Sequence, residues 1–264
     1  MQFEGIVNAR DLGGLPMGDG KTVRPGVLLR TAHLNEATDA DVVRLRDQFH
    51  LRRIFDFRTY QEAQAQPDQD IPGAEHILLP TLDVEAERKS GEAVPQETFL
   101  DLPRHIVKLS FTKLFQKKAR ELYPSLVLSE FSQLQYATFL NLIVETPDGA
   151  VLWHCSQGKD RTGIGAAFIL GALGCERDVM VADFDRSNET YRPLVEQLCQ
   201  EVERAGGGDE EKEVVRAFMG VSTRNFCNVL DLIQDRWGTL QNYLKDTMGL
   251  TDADFALLRE RYLE

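Results

Sequence analysis

The chain has 264 residues, 42% of them hydrophobic and 27% charged, an ordinary globular mix that allows one sizeable core or two small ones. A formal net charge of −12 argues against non-specific nucleic-acid binding and against broad adhesion to anionic membranes. It leaves room for a small basic pocket that takes one phosphate.

From the N-terminus, Met1 to Gly14 shows neither an apolar h-region nor a cleavage-site pattern, so no secretory signal is read there. Thr38 followed by Asp41 is a capping-box-like helix start with Asp in place of Glu, and Val42, Val43, Leu45 and Phe49 continue at roughly helical spacing. Leu51 to Phe57 and Glu75 to Leu79 read as strands. Glu85 to Pro95 reads as an exposed connection. Phe99 to Leu122 predicts one or two amphipathic helices, and Ser129 to Glu145 another, with Phe131, Leu134, Phe139, Leu142 and Ile143 available for one face.

Pro147-Asp-Gly149 signals a turn, Ala150 to His154 a short apolar strand, and a helical pattern begins at Thr162. The most apolar stretch, Ile164 to Gly174, is too short to cross a bilayer and reads as a buried helix. From Asp178 onward the pattern is nearly all helical, broken by a glycine-rich surface loop over Ala205 to Lys212.

Strands alternating with helices predict an α/β fold: a mostly parallel sheet of four or five strands flanked by helices. The expected organisation is a single domain over 1–264, with a helical insertion at about 84–147. In such folds ligands bind at the carboxyl ends of strands, and the chain after His154 is such an end.

That junction reads His154-Cys-Ser-Gln-Gly-Lys-Asp-Arg-Thr-Gly163. A bare Cys-x5-Arg is a weak signal. Its specificity comes from the apolar strand before it, the Gly midway, the Thr-Gly after the Arg and the apolar helix beyond. A tight loop between strand and helix brings backbone amides and a helix N-terminus to one point, which makes an anion site.

Ser156, Gln157, Gly158, Lys159, Asp160 and Arg161 would then line a phosphate. Gly158 permits the close turn. Cys155 at the base has its thiol acidified by the same positive field and can attack phosphorus. Arg161 offers a planar fork for two oxygens. Thr162 or Ser156 could hydrogen-bond the sulfur, with a helix cap as the other reading of Thr162. His154 either orients the cysteine or is a satisfied core histidine. Asp160 is positioned to protonate a leaving oxygen, or else pairs with Lys159 or Arg161. Lys159 either adds charge at the pocket mouth or is a solvated loop residue. No Walker A spacing and no metal-ligand pattern is found, so neither metal nor cofactor is expected.

This decapeptide resembles the signature of the atypical bacterial tyrosine phosphatases, a group active toward phosphotyrosine, phosphoserine/threonine and phosphoinositides. Asn8-Ala-Arg-Asp-Leu-Gly-Gly14, Val23 to Arg30, Asp56-Phe-Arg58 with Glu62, Asp183 to Asn188 and Trp237 to Leu244 are similar to further segments of that family. Phe57 and Thr59 depart mildly from its pattern, and Val84 to Ser129 aligns with none of its motifs.

The resemblance implies a phosphate monoester hydrolase that works through a phosphocysteine. It implies Cys155 as nucleophile, Arg161 as phosphate clamp, Asp160 as acid and Lys159 as a residue favouring highly anionic substrates. It also implies site support from Asp56, with Arg58, or from Glu62. For these carboxylates the other reading is ion pairing with Arg10, Arg30 or Arg58. In some relatives the unaligned stretch forms a lid. Here Phe99, Leu102, Leu109, Phe111, Leu114 and Phe115 could cover the site or simply pack.

Expected partners are a phosphorylated protein or a phosphoinositide, with no nucleic acid and no stable membrane insertion. Cys155, Cys175, Cys199 and Cys227 form no C-x-x-C pair. Three of them read as small buried apolar residues, and reduced thiols suit a cytoplasmic location. An arsenate reductase or sulfur-transfer enzyme would use a similar loop. The next cysteine, Cys175, lies beyond a helix of about three turns, which disfavours redox cycling. A phosphate-binding module without catalysis is the non-enzymatic alternative. The intact Cys155, Asp160 and Arg161 argue against it.

Overall fold

A computed structural model describes residues 2–90, 102–146 and 148–264. Five strands form one sheet in the order β1-β2-β5-β3-β4. They are β1 (Arg10–Asp11), β2 (Leu28–Thr31), β3 (Leu51–Asp56), β4 (Glu75–Leu78) and β5 (Ala150–His154). Only β1 runs antiparallel, against β2; the pairs β2–β5, β5–β3 and β3–β4 are parallel.

Side chains alternate across the pleat, and this sets two cores. Leu28, Phe55, Val151 and Trp153 face a large cluster, while Leu29, Ile54, Ala150 and Leu152 face a smaller one with Ile6, Leu34 and Leu45. Both faces of β5 are buried, as a continuous apolar run in a central parallel strand requires.

The large cluster is closed by α6 (Glu130–Glu145), α7 (Asp160–Leu173), α11 (Thr223–Trp237), α12 (Leu240–Met248) and α13 (Asp252–Tyr262). Phe139 meets Phe55, Phe57 and Trp153 edge to face. The helix α7 threads the interior, so every residue from Arg161 to Leu173 is buried. The smaller face is covered by α1 (Asp39–Val43) and the N-terminal segment.

The Thr38–Asp41 capping box is present, and Asp41 also accepts from the Glu4 and Gly5 amides at 2.9 and 2.8 Å. Helix α1 does not run on regularly: residues Arg44–Gln48 form a π turn, and Val43 is exposed rather than packed. A short helix, α2 (Tyr60–Ala65), follows β3.

The stretch read as an exposed connection is helical over α3 (Val84–Ser90); its remainder to Pro95, like Phe99 and Pro147, lies outside the described residues. Two helices follow, α4 (Leu102–Ser110) and α5 (Lys113–Leu128). They pack against α9 (Ser187–Arg204) and α10 (Asp209–Met219) through Ile106, Phe115, Leu198, Val202, Val214 and Met219. Phe115 is therefore a packing residue, whereas Phe111 is exposed.

Leu134 is 63% exposed although it falls on the expected apolar face of α6; Phe139 and Ile143 make that face. The helix α8 (Arg177–Asp185) joins α7 to α9, and the glycine loop is shorter than the sequence suggests, because Asp209 to Lys212 already belong to α10. No helix among the described residues is long and apolar enough to cross a membrane.

Candidate active site

The expected junction forms where expected. Strand β5 ends at His154, residues 155–159 turn, and α7 starts at Asp160. Gly158 has φ +65°, and a Cβ there would lie 2.1 Å from the Thr31 carbonyl oxygen, so only glycine fits against β2.

Three successive loop carbonyls are taken by side chains outside the loop. Asn8 Nδ2 donates to the Gln157 and Gly158 carbonyls at 3.1 and 2.9 Å. Tyr191 OH donates to Gln157 O at 2.6 Å, and Arg30 Nη2 to Gly158 O and Lys159 O at 3.1 and 3.3 Å. Asn8 adopts φ +52°, a left-handed conformation that Asn tolerates better than most residues.

Behind these donors Asp183 grips Arg10 Nε at 3.0 Å and Arg30 Nη1 at 2.6 Å, all buried. With its carbonyls so occupied, the loop keeps its amides for the concave side. Among the described residues no acceptor takes the N–H of Ser156, Gln157, Gly158 or Lys159. Four unpaired amides in a turn before a helix N-terminus form an anion-binding nest.

Cys155 opens this loop directly after β5 and is 2% exposed. Burial pushes its thiol up, but the Arg161 guanidinium and the Thr162 hydroxyl and amide outweigh that and hold it below the ordinary thiol range. The Thr162 hydroxyl is buried with no other partner, and Lys159 rather than Thr162 occupies the N-cap of α7. The capping reading of Thr162 is thus corrected. Ser156, the other candidate, instead donates its hydroxyl to Glu62 Oε1 at 2.6 Å.

Arg161 is fixed by Glu62 on two sides, Nη1–Oε2 at 2.7 Å and Nη2–Oε1 at 2.8 Å, with further bonds to Phe57 O and Ser156 Oγ. The expected pairing of Glu62 with Arg10, Arg30 or Arg58 is thus corrected. Those three guanidiniums are engaged by Asp183 or by Asp56 and Asp68. The hydrogen bonds of Arg161 among the described residues are all made by Nη1 and Nη2.

Glu62 is placed by helix chemistry. It is the third residue of α2 and closes a capping box with Thr59, its Oε2 accepting the Thr59 amide at 2.8 Å. The parallel register sets Asp56 of β3 beside His154 of β5, which puts the start of α2 next to the cysteine loop.

Lys159 is not at the pocket mouth and is not solvated. It is 3% exposed, and its Nζ donates to Asp160 Oδ2 at 2.6 Å and to Gly220 O at 2.7 Å. Asp160 thus pairs with Lys159, as one reading held, and its Oδ1 accepts from Tyr123 OH at 2.5 Å, a contact no sequence pattern announced.

His154 is fully buried, with Nε2 3.2 Å from Asp68 Oδ2 and Nδ1 3.7 Å from Asp56 Oδ1. Burial opposes its charge, but Asp56 and Asp68 together raise its pKa above the usual histidine value. Asp56 lies against this histidine, and Arg58 bonds the two carboxylates beside it. Asp68 was missed in the sequence. Burial would raise its pKa, yet His154, Arg58 and the Leu34 amide hold it at about 2.

Asp56, Asp68, His76 and His154 bring potential ligand atoms within 4.8 Å of one another. The two carboxylate oxygens that would bind a metal already accept from Arg58 Nη2 at 2.7 and 2.6 Å, so the cation between them is a guanidinium.

A thiol held below its ordinary range, a loop whose amides have no acceptor among the described residues and a fixed guanidinium are the parts that phosphoryl transfer to sulfur needs. Comparison with known proteins agrees. The family model described as the tyrosine phosphatase family matches residues 1–264, and the chain belongs to that family. It is a phosphate monoester hydrolase of the protein tyrosine phosphatase class, working through a phosphocysteine.

The triple specificity protein phosphatase PtpB of Mycobacterium tuberculosis is 26% identical over 274 residues, covering 98% of this chain and 97% of that protein. A Cupriavidus necator protein whose name carries a provisional tyrosine-protein phosphatase assignment is 26% identical over 264 residues, covering 100% and 88%. A tyrosine-protein phosphatase of Nostoc commune matches over 134 residues at 26% identity, covering 49% and 45%.

Proposed function

We propose that Cys155 is the nucleophile, Arg161 the phosphate clamp and Asp160 the acid of this phosphatase. The Cys155 thiolate attacks phosphorus, an S–P bond forms and the P–O bond to the leaving group breaks. The departing oxygen takes the proton of the Asp160 carboxyl. Water then attacks the phosphocysteine while the Asp160 carboxylate takes its proton, the S–P bond breaks, inorganic phosphate leaves, and the Cys155 thiolate and the Asp160 carboxyl are both regained.

The free amides of residues 156–159 and the Nε–H of Arg161 meet the equatorial oxygens. Nη2 can exchange Ser156 for a phosphate oxygen while Glu62 holds the guanidinium plane. Charge that spreads over those oxygens meets donors already in place, so little reorganisation is needed. The observation that carries the reading is the pairing of a thiol held below its usual range with four amides that no group among the described residues accepts from.

Rapid quenching of the chain in alkaline denaturant with a radiolabelled aryl phosphate tests it. Label should remain on protein as an S-phosphocysteine, stable to alkali and labile to mild acid, and Cys155→Ser should abolish it. Label on another residue, or none during turnover, overturns the assignment.

For substrates we propose phosphotyrosine proteins first, with phosphoserine/threonine and phosphoinositides as further classes. The triple specificity in the name of the mycobacterial relative supports that breadth, as does the ammonium of Lys159 buried beside the acid. Comparison of kcat/KM across phosphopeptides and phosphoinositides decides it. We propose one domain over 1–264, with 84–147 as its helical insertion, because a single core cluster joins Leu12 to Leu263. Four free thiols support a reducing, cytoplasmic setting, and the net charge of −12 supports the absence of a nucleic-acid partner.

A further inference from the structure

The Asp160 carboxylate is gripped from two sides. Lys159 Nζ holds Oδ2 and ties itself to the Gly220 carbonyl. Tyr123, fully buried on α5, holds Oδ1 at 2.5 Å, and its own oxygen accepts the Ser222 amide at 3.4 Å. The segment 220–222 is fastened in turn by Asn188 of α9, which bonds Val221 through both its carbonyl and its amide at 3.1 and 2.9 Å. The ring of Tyr123 stands edge-on to Phe184 of α8. Two functions are available to a phenol so placed. As a proton donor to the substrate it is unsuited, because burial and the adjacent Asp160 charge raise its pKa well above the ordinary tyrosine value. As a fixed hydrogen-bond donor it is well suited, since a carboxyl group turns freely about its terminal bond unless one oxygen is anchored.

We propose that Tyr123 is a positioning residue for the general acid: it pins Oδ1 of Asp160 and leaves Oδ2 as the oxygen that carries the proton to the leaving group. Lys159 shares Oδ2 with no proton present and keeps its Gly220 bond when that oxygen is protonated. Because Tyr123 belongs to α5, the orientation of the acid depends on how that helix is seated, although α5 is remote in sequence from the cysteine loop. The inference rests on the acid role assigned to Asp160.

The test is a double-mutant cycle with Tyr123→Phe and Asp160→Asn, read with an alkyl phosphate and with p-nitrophenyl phosphate. Phe removes only the hydroxyl from a packed ring, so the fold should survive; near-unchanged thermal melting confirms this. Tyr123→Phe should lower kcat for the alkyl phosphate about tenfold, the size expected for one charge-assisted hydrogen bond. KM should stay nearly unchanged, and p-nitrophenyl phosphate, whose leaving group needs little protonation, should be nearly unaffected. In the Asp160→Asn background, Tyr123→Phe should have no further effect. If Asp160→Asn selectively slows poor leaving groups but Tyr123→Phe does not, or if the two effects multiply, the positioning role is wrong while the acid assignment stands. If Asp160→Asn slows both substrates equally, the acid assignment itself fails and the inference falls with it.

Discussion

Glu62 and Arg161 are 99 positions apart in sequence and meet as a two-pronged ion pair, 2.7 and 2.8 Å, that fixes the plane of the guanidinium beside the thiol. Burial would push the Glu62 carboxyl up, but Arg161, the Ser156 hydroxyl and the Thr59 amide hold it down at about 2. The group is therefore charged throughout the neutral range. Glu62→Gln keeps the shape and one hydrogen bond but removes the charge. It should lower kcat/KM by about 10–100-fold, mainly through weaker phosphate binding as the guanidinium loses its fixed plane. Steady-state kinetics with phosphate as competitive inhibitor measure both effects.

The same carboxyl gives a pH dependence of stability. Glu62 and Asp68 both have folded-state values near 2, below their unfolded values of about 4. A depressed carboxyl stabilises fully above its unfolded pKa and loses that contribution as pH falls toward the folded one. Stability should thus be level from neutrality down to about pH 5 and fall steeply between about 5 and 2. Glu62→Gln should flatten part of that fall. Urea unfolding at a series of pH values is the measurement, and an unchanged slope in the variant would contradict the ion pair.

Substitution of Arg161 by Lys separates charge from geometry. An ammonium keeps the positive charge but cannot bond both Glu62 oxygens and phosphate at once. Activity should fall by about 10²–10³-fold, as for loss of fixed transition-state donors, while the protein remains folded. Circular dichroism alongside kcat/KM checks that the loss is chemical.

The cysteine loop was legible because its parts are contiguous: strand, Cys155, Gly158, Arg161 and helix fall within a few residues, and each local preference agrees with the others. What surrounds it was not legible for the opposite reason. Asn8 reaches Gly158 across 150 positions and Ser156 reaches Glu62 across 94. Such pairings depend on strand order, which no local pattern encodes. For this reason the sequence left Glu62 between support of the site and pairing with Arg10, Arg30 or Arg58, and offered no sign of its bond to Arg161. Thr59 and Glu62 have the spacing of a capping box, and once β3 is known to lie beside β5 that signal alone places the carboxylate at the loop. Lys159 misled differently, since a lysine in a glycine-bearing loop reads as solvated until Gly220 and Asp160 are seen to enclose it. Leu134 fits the helical period of α6 yet faces out, because period fixes a face but not where that face ends.

Gly158→Ala should be disabling out of proportion to its size. The added Cβ would lie 2.1 Å from the Thr31 carbonyl oxygen, and the left-handed backbone disfavours any L side chain. Either β2 or the loop must shift, and the amides with it. Loss of activity by more than about 100-fold is expected, with a fall in stability of about 1–3 kcal/mol. Retention of near-normal kcat/KM would show that the loop does not need this turn.

The acidity of Cys155 is open to direct titration. Burial raises its pKa, so the net lowering depends on Arg161 and on the hydroxyl and amide of Thr162. Because the net shift is downward, inactivation by a small alkylating agent should reach half its limiting rate at a lower pH than it does with a free cysteine. Thr162→Val preserves the branched shape and the amide while deleting the hydroxyl. It should move that midpoint upward, and it should slow hydrolysis of the phosphocysteine more than its formation, because the departing sulfur loses a hydrogen bond. A larger burst of p-nitrophenol than the parent gives, followed by a slower steady state, is the expected signature. An unmoved midpoint together with an unchanged burst would mean that the hydroxyl of residue 162 does not act on the sulfur.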